Sequence, residues 1–164
     1  MIRPATVDDA EQIAHVHVRS WQDAYAHVFP AERLSKLSVE ERAGLWRRWL
    51  PDERLATFVA ETDGRVVGFV NVGPNPDDVD GELFSIYVDP DSWGTGVGRS
   101  LIERGEAWLR AHGYDEAILW VLDDNPRARR FYEAAGWSFD GGTRTGEHLG
   151  VSTLEVRYRK RLQT

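Results

Sequence analysis

The sequence predicts an α+β fold with a mixed sheet, and three observations carry that prediction. Two helix-start signals stand in the N-terminal part, each ahead of an apolar stripe. Asp63-Gly64 then separates two strand-like runs, a strong hairpin signal. From Glu82 onward strands alternate with helices, and two further strands close the chain.

In order along the chain, Thr6 followed by Asp9 reads as a capping box. Ile13, Val16, His17, Ser20, Trp21 and Ala24 share one helical face, so a helix is expected from about Val7 to Ser20 or beyond. Ser38 with Glu41 repeats the signal, Leu45, Trp46, Trp49 and Leu50 supply the stripe, and Pro51 ends it. Ala56 to Glu61 and Val66 to Val72 form the hairpin, and an acidic loop with Asp77, Asp78 and Asp80 follows. A strand over about Glu82 to Val88 leads into Gly94, Gly96 and Gly98 and then a helix from about Arg99 to Ala111, stopped by Gly113. Ala117 to Leu122 reads as a buried strand, and Asn125-Pro126 opens a helix that reaches Ala135, with Gly136 as its cap. Trp137 to about Arg161 reads as two strands around a turn at Gly141-Gly142.

Composition narrows the function. The 164 residues suit one domain, and 20 Lys plus Arg against 27 Asp plus Glu give a net charge of −7. Such a balance opposes nucleic-acid binding, which rests on neutralising phosphates. No apolar run approaches the ~20 residues that span a bilayer, and Met1-Ile2-Arg3-Pro4 begins no signal peptide. A cytoplasmic protein with no membrane partner is expected. The absence of Cys excludes disulfides, thiolate metal sites and Cys nucleophiles. The histidines show no metal-ligand spacing, so no metal is expected.

The densest signal is the strand, glycine turn and helix over Ile86 to Arg99. A helix N-terminus presents unpaired N–H groups and about half a positive charge, and glycines let a phosphate approach them. A triphosphate loop would need Gly-Lys-Ser/Thr, but Gly98 is followed by Arg99-Ser100. The dinucleotide fingerprint finds Gly94 and Gly96 in place and Arg99 where its third glycine belongs. Asp123 could serve as its acidic ribose ligand.

Trp93-Gly94-Thr95-Gly96-Val97-Gly98 resembles the acyl-CoA loop of the GNAT superfamily of N-acetyltransferases, Gln/Arg-x-x-Gly-x-Gly/Ala. Trp93 stands where Gln or Arg is usual. The stretch from Asn125 through Ala128, Phe131, Tyr132 and Gly136 to Trp137 is similar to the family's Asn-x-x-Ala-x-x-Phe-Tyr-x-x-x-Gly-Phe signature, with Trp137 for Phe. The resemblance covers nearly the whole chain. It implies one domain over residues 1–164, whose mostly antiparallel mixed sheet is flanked by helices and splays between two central parallel strands.

It also implies acetyl-CoA as cosubstrate and direct acetyl transfer to a primary amine of a small molecule or peptide in a ternary complex. Backbone groups of Ile86, Tyr87 and Val88 are then expected to hold the pantetheine, Trp93 to Arg99 (with Thr95 and Val97 among them) the pyrophosphate, and Asn125 the pantetheine's far side. Arg99, Arg127, Arg129 and Arg130 are expected near the adenosine phosphates. Tyr132 occupies the family's position for protonating the departing thiolate, and its hydroxyl stays protonated at neutral pH. Glu82, which shares a strand face with Phe84 and Ile86, is the leading proton acceptor, and Trp120 stands where some members carry a Glu. Trp21 and Tyr25, at helical spacing with His17, are expected in the substrate pocket. A homodimer is a reasonable oligomer. The alternative to an enzyme is an idle acyl-CoA-binding sensor.

Overall fold

The computed structural model describes residues 1–163. Its seven strands are β1 (Ile2–Pro4), β2 (Ala56–Thr62), β3 (Arg65–Pro74), β4 (Gly81–Val88), β5 (Glu116–Leu122), β6 (Ser138–His148) and β7 (Val151–Arg161). They form one sheet in the order β1-β2-β3-β4-β5-β7-β6. Only β4 and β5 are parallel; every other pair is antiparallel. The helices are α1 (Ala10–Ala24), α2 (Ala31–Leu34), α3 (Val39–Trp49), α4 (Val97–Ala111) and α5 (Pro126–Ala134).

Alternation along the strands decides which helix covers which face. On one face Val59, Val66 and Phe69 pack under Ile13, Val16 and Trp46 of α1 and α3. On the other, Val70, Val72, Leu83, Leu119 and Val121 meet Leu101, Ile102 and Leu109 of α4, with Tyr132 of α5 and Trp137. Both expected N-terminal starts form: Thr6 and Asp9 build the capping box, with a single 3-10 turn (Val7–Asp9) ahead of α1. The Ser38 side chain accepts from Glu41 N at the start of α3. The strand β1 and the one-turn α2 were not expected, being too short to show a period.

The last hairpin differs from expectation. Its turn lies at Leu149 and Gly150, with φ of 52° and 73°, while Gly141 and Gly142 sit inside β6 at a break in register between Phe139 and Thr143. Leucine is a poor turn residue, so local sequence favoured the glycines. Tertiary contacts decide otherwise: Leu149 packs with Tyr25 and Phe29, and its carbonyl accepts from Arg33 of α2 at 2.7 Å.

A buried ion pair ties α4 to β7. Glu106, 4 % exposed, accepts from Lys160 Nζ and from Trp137 Nε1 (3.3 Å), and Lys160 also donates to Ala135 O at 2.7 Å. Breaking such a pair strands a charge at a cost of about 3 kcal/mol. Lys160→Met is therefore expected to lower the melting temperature by roughly 6–12 °C. Adding Glu106→Gln should recover most of the loss in the same thermal scan.

Candidate active site

The parallel strands β4 and β5 pair only at Gly81 with Ala117 and Glu82 with Ile118. From there β4 runs on to Val88 and β5 to Leu122 with no ladder between them. Backbone N–H and C=O groups facing a gap inside a sheet need partners from elsewhere. The gap opens into a cavity of about 1150 Å³ lined by Leu83 to Val88 on one side and Trp120 to Leu122 on the other. Ile86, Tyr87 and Val88 line it. The Val88 carbonyl, however, already accepts from Ser20 Oγ (3.1 Å) and Trp93 Nε1 (2.8 Å). Asp89 N donates to Val67 O, so by alternation Tyr87 turns its backbone to Phe69 of β3, against expectation, and the Ile86 groups with the Val88 N–H are left facing the gap.

One end of the cavity is the glycine turn. Gly94 and Gly96 have φ of 76° and 87°, which favours glycine, and Gly96 caps α4. Gly98 is tight for another reason: a Cβ there would stand 3.1 Å from Phe131 Cε1, so the Phe131 ring would have to give by a few tenths of an ångström. Trp93 has a distinct role: besides holding Val88, its ring carries the Arg127 guanidinium 3.4 Å from its centroid. Arg99, Arg127 and Arg130 all line this end, giving an acidic protein a local cationic rim. Thr95 and Val97 do not line the cavity; the Thr95 hydroxyl donates to Ser92 O, closing the turn.

Arg129 is a correction. Its guanidinium donates to Asp123 Oδ1 (2.9 Å) and Tyr158 Oη (3.0 Å), and it lines no part of the cavity. In the helix it falls between Arg127 and Arg130, on the side turned to β7.

In the middle of the cavity stands Tyr132. It is 8 % exposed, and its hydroxyl has no protein partner among the described residues. Burial pushes the phenol well above its usual pKa, so it stays protonated. Asn125 caps α5 by accepting from Ala128 N (3.1 Å), and its Nδ2 donates to Tyr25 Oη (3.3 Å), leaving one amide hydrogen for a ligand. Tyr25 is itself buried, and Trp21 donates from Nε1 to Tyr87 Oη at 3.0 Å. Both expected pocket residues line the cavity, fixed by these bonds.

A family model for the acetyltransferase (GNAT) family matches residues 15–137. The chain is 34 % identical over 137 residues to the "Uncharacterized N-acetyltransferase YuaI" of Bacillus subtilis, covering 81 % of this chain and 77 % of that one. The chain belongs to the GNAT family of acetyltransferases. It is also 30 % identical over 173 residues to the "Probable N-acetyltransferase Rv2775" of Mycobacterium tuberculosis, covering 96 % and 91 %. Its fold is shared with the PaiA N-acetyltransferase of Thermoplasma acidophilum, solved in complex with coenzyme A, at a TM-score of 0.73 and 21 % identity over 98 % of both chains. As a GNAT protein it is an acyltransferase that depends on acetyl-CoA. The dinucleotide reading falls with this, and Asp123 is already paired with Arg129.

At the other end of this GNAT cavity lies Glu82. Burial raises its carboxyl to about 7, with Asp77 pushing the same way and Arg144 opposing. Next to it stand three residues on the closing hairpin that were not expected in the site. Glu155, buried, accepts from Arg144 Nε (2.9 Å) and pairs with His148 Nε2 (2.9 Å), and all three line the cavity. Arg144 also lies over the Trp120 ring at 4.2 Å. Their one sequence signal was a carboxylate within the apolar alternation of β7. No group of three or more His, Asp or Glu able to hold a metal was found among the described residues, and no helix there is long and apolar enough to cross a membrane.

Proposed function

We propose that this GNAT acetyltransferase moves an acetyl group to the primary amine of a small molecule or peptide, with Tyr132 as proton donor and Glu82 as proton acceptor. The observation that carries the reading is the Tyr132 hydroxyl, which sits on a largely buried residue, lacks a protein partner among the described residues and opens on the cavity between β4 and β5. Bound acetyl-CoA supplies the thioester carbonyl that the amine attacks. The residues present fit that ligand: an unzipped strand pair for an extended amide-bearing arm, and a glycine-rich helix N-terminus ringed by arginines for phosphates.

Glu82 receives the proton that the amine must lose to react, directly or through water. Tyr132 donates its proton to the sulfur as the C–S bond breaks, and solvent restores both groups. A base with pKa near 7 suits this work at neutral pH, because it is part ionised yet still basic. The chain contains no Cys to carry an acyl group, which favours direct transfer.

The test is release of free CoA thiol, followed against pH with a panel of amines. Turnover should rise with pH through about 7, where Glu82 loses its proton. Glu82→Gln should lower kcat about 100-fold and remove that limb. The stability sign follows from the same raised value: whatever Glu82 contributes to folding is present below its ordinary 4.5 and lost as pH rises through about 7. Glu82→Gln should therefore melt no lower than the parent at pH 8. An unchanged rate profile would place the base elsewhere, and stabilisation by acetyl-CoA without thiol release for any amine would make the protein a sensor.

A further inference from the structure

Under α1 and α3 the cavity continues into a recess that the transfer chemistry leaves unused. Its wall is His17, Trp46, Trp49, Leu55, Asn71 and Phe84. Trp46 and Trp49 meet edge to face at 5.1 Å. Leu55 and Phe84 come together over Gly73, where a Cβ would stand 2.8 Å from Leu55 Cδ2 and 3.2 Å from Phe84 Cε2. Trp49 and Phe84 each keep 38 % of their surface exposed although both are large and apolar. Aromatic rings left accessible on a concave wall are a signature of ligand contact.

The recess offers two polar atoms. Asn71 is 6 % exposed, and its Nδ2 donates to Thr57 Oγ1 (2.7 Å) and Ala56 O (3.5 Å). A carbonyl can only accept, so the amide nitrogen must lie on that side, and Oδ1 is left with no protein donor among the described residues. No fully buried side-chain oxygen lacks a partner among the described residues, so Oδ1 is open to the cavity, where a donor from a ligand or water can reach it. Opposite it, His17 is stacked on Tyr87 at 5.2 Å and accepts from Trp46 Nε1 at Nδ1 (3.4 Å). Burial pushes the ring down to about 3, so it is neutral and its one proton sits on Nε2. Glu82 faces Gly73 across the β3–β4 ladder, and alternation puts Gly73 and Asn71 on one face of β3. An amine reaching Glu82 would therefore have its body beside the recess.

We propose that the recess is the acceptor subsite and selects a primary amine carried on a flat aromatic body with a hydroxyl or ring N–H to donate to Asn71 Oδ1. The proposal rests on the acetyl-transfer reading above. A polyamine would carry a second charge into an apolar wall, and a short aliphatic amine would leave Trp49 and Phe84 wet.

The experiment measures kcat/KM for thiol release from acetyl-CoA with tyramine, 2-phenylethylamine, butylamine, spermidine and an alanine-initiated peptide. Tyramine should lead, about tenfold above 2-phenylethylamine and more above butylamine. Trp49→Ala should shrink the tyramine-to-butylamine ratio about tenfold, and Asn71→Leu should erase the gap between tyramine and 2-phenylethylamine. Preference for spermidine or the peptide overturns the proposal. So does a Trp49→Ala variant that shifts choice between acetyl-CoA and hexanoyl-CoA with the amine ratio unmoved, since the recess would then hold the acyl chain. If no amine turns over although acetyl-CoA stabilises the protein, the transfer reading fails by itself. Calorimetric titration then decides the recess: tyramine binding that is weakened by Trp49→Ala supports it, and no binding overturns it.

Discussion

Gly96→Val is expected to abolish the thermal stabilisation of the protein by acetyl-CoA and to raise its Kd at least 100-fold, a change of about 2.7 kcal/mol. Two effects act at this residue. Its φ of 87° lies where a β-branched side chain is strained. A Cβ there would also project into open space at the N-cap of α4, on the cavity wall, where a phosphate must come close to the first N–H groups of the helix. The first effect lowers stability by about 1–3 kcal/mol; the second blocks the ligand. Gly113→Val separates them. Gly113 has φ of 86°, equally open space around its Cβ, and lies just beyond the opposite end of the same helix. Both variants should melt lower than the parent, but only Gly96→Val should lose the acetyl-CoA shift. An equal shift in both would mean that the glycine turn does not hold the cosubstrate.

The contrast between those glycines shows which parts of the molecule were legible in the sequence. The turn at Gly94 to Gly98 could be read because backbone geometry constrains residue type there: Gly94 and Gly96 have positive φ, and Gly98 is close to Phe131. Asn125 was legible as an N-cap, and Tyr132 through the motif that Asn125 begins. Local rules failed where distant contacts decide the outcome. Leu149 turns the last hairpin against its own preference because α2 and the Tyr25 cluster hold it. With that turn misplaced, Arg144, His148 and Glu155 could not be brought to the site. Arg129 failed differently: a one-residue step around a helix changes the face by about 100°, and no pattern of charges alone fixes which arginine looks inward. Asn71 did leave a trace, as the one polar side chain in the apolar run from Val66 to Val72. A buried amide in such a strand calls for partners, and half of this one is unpartnered within the protein.

Tyr132→Phe is expected to lower kcat for thiol release about 100-fold, in the usual range for removing a proton donor, while the Kd for acetyl-CoA changes less than about twofold. The separation follows from the position of the hydroxyl. The ring packs against Phe131 at 5.5 Å and Tyr158 at 6.3 Å, contacts that phenylalanine keeps. The hydroxyl opens on the cavity and bonds no protein atom among the described residues, so deleting it breaks no internal hydrogen bond and orphans no partner. Thermal stability should therefore be unchanged or slightly higher, which distinguishes a catalytic hydroxyl from a structural one. The pH profile supplies a second reading. Because burial and the neighbouring Tyr25 hold the phenol well above its ordinary 10.0, the parent enzyme should show no loss of rate up to pH 9 from its ionisation. The variant should lose height at every pH and keep the limb near 7 proposed for Glu82. A variant that retains full kcat would leave the departing sulfur to be protonated by water, and Tyr132 would be only a wall of the gap between β4 and β5.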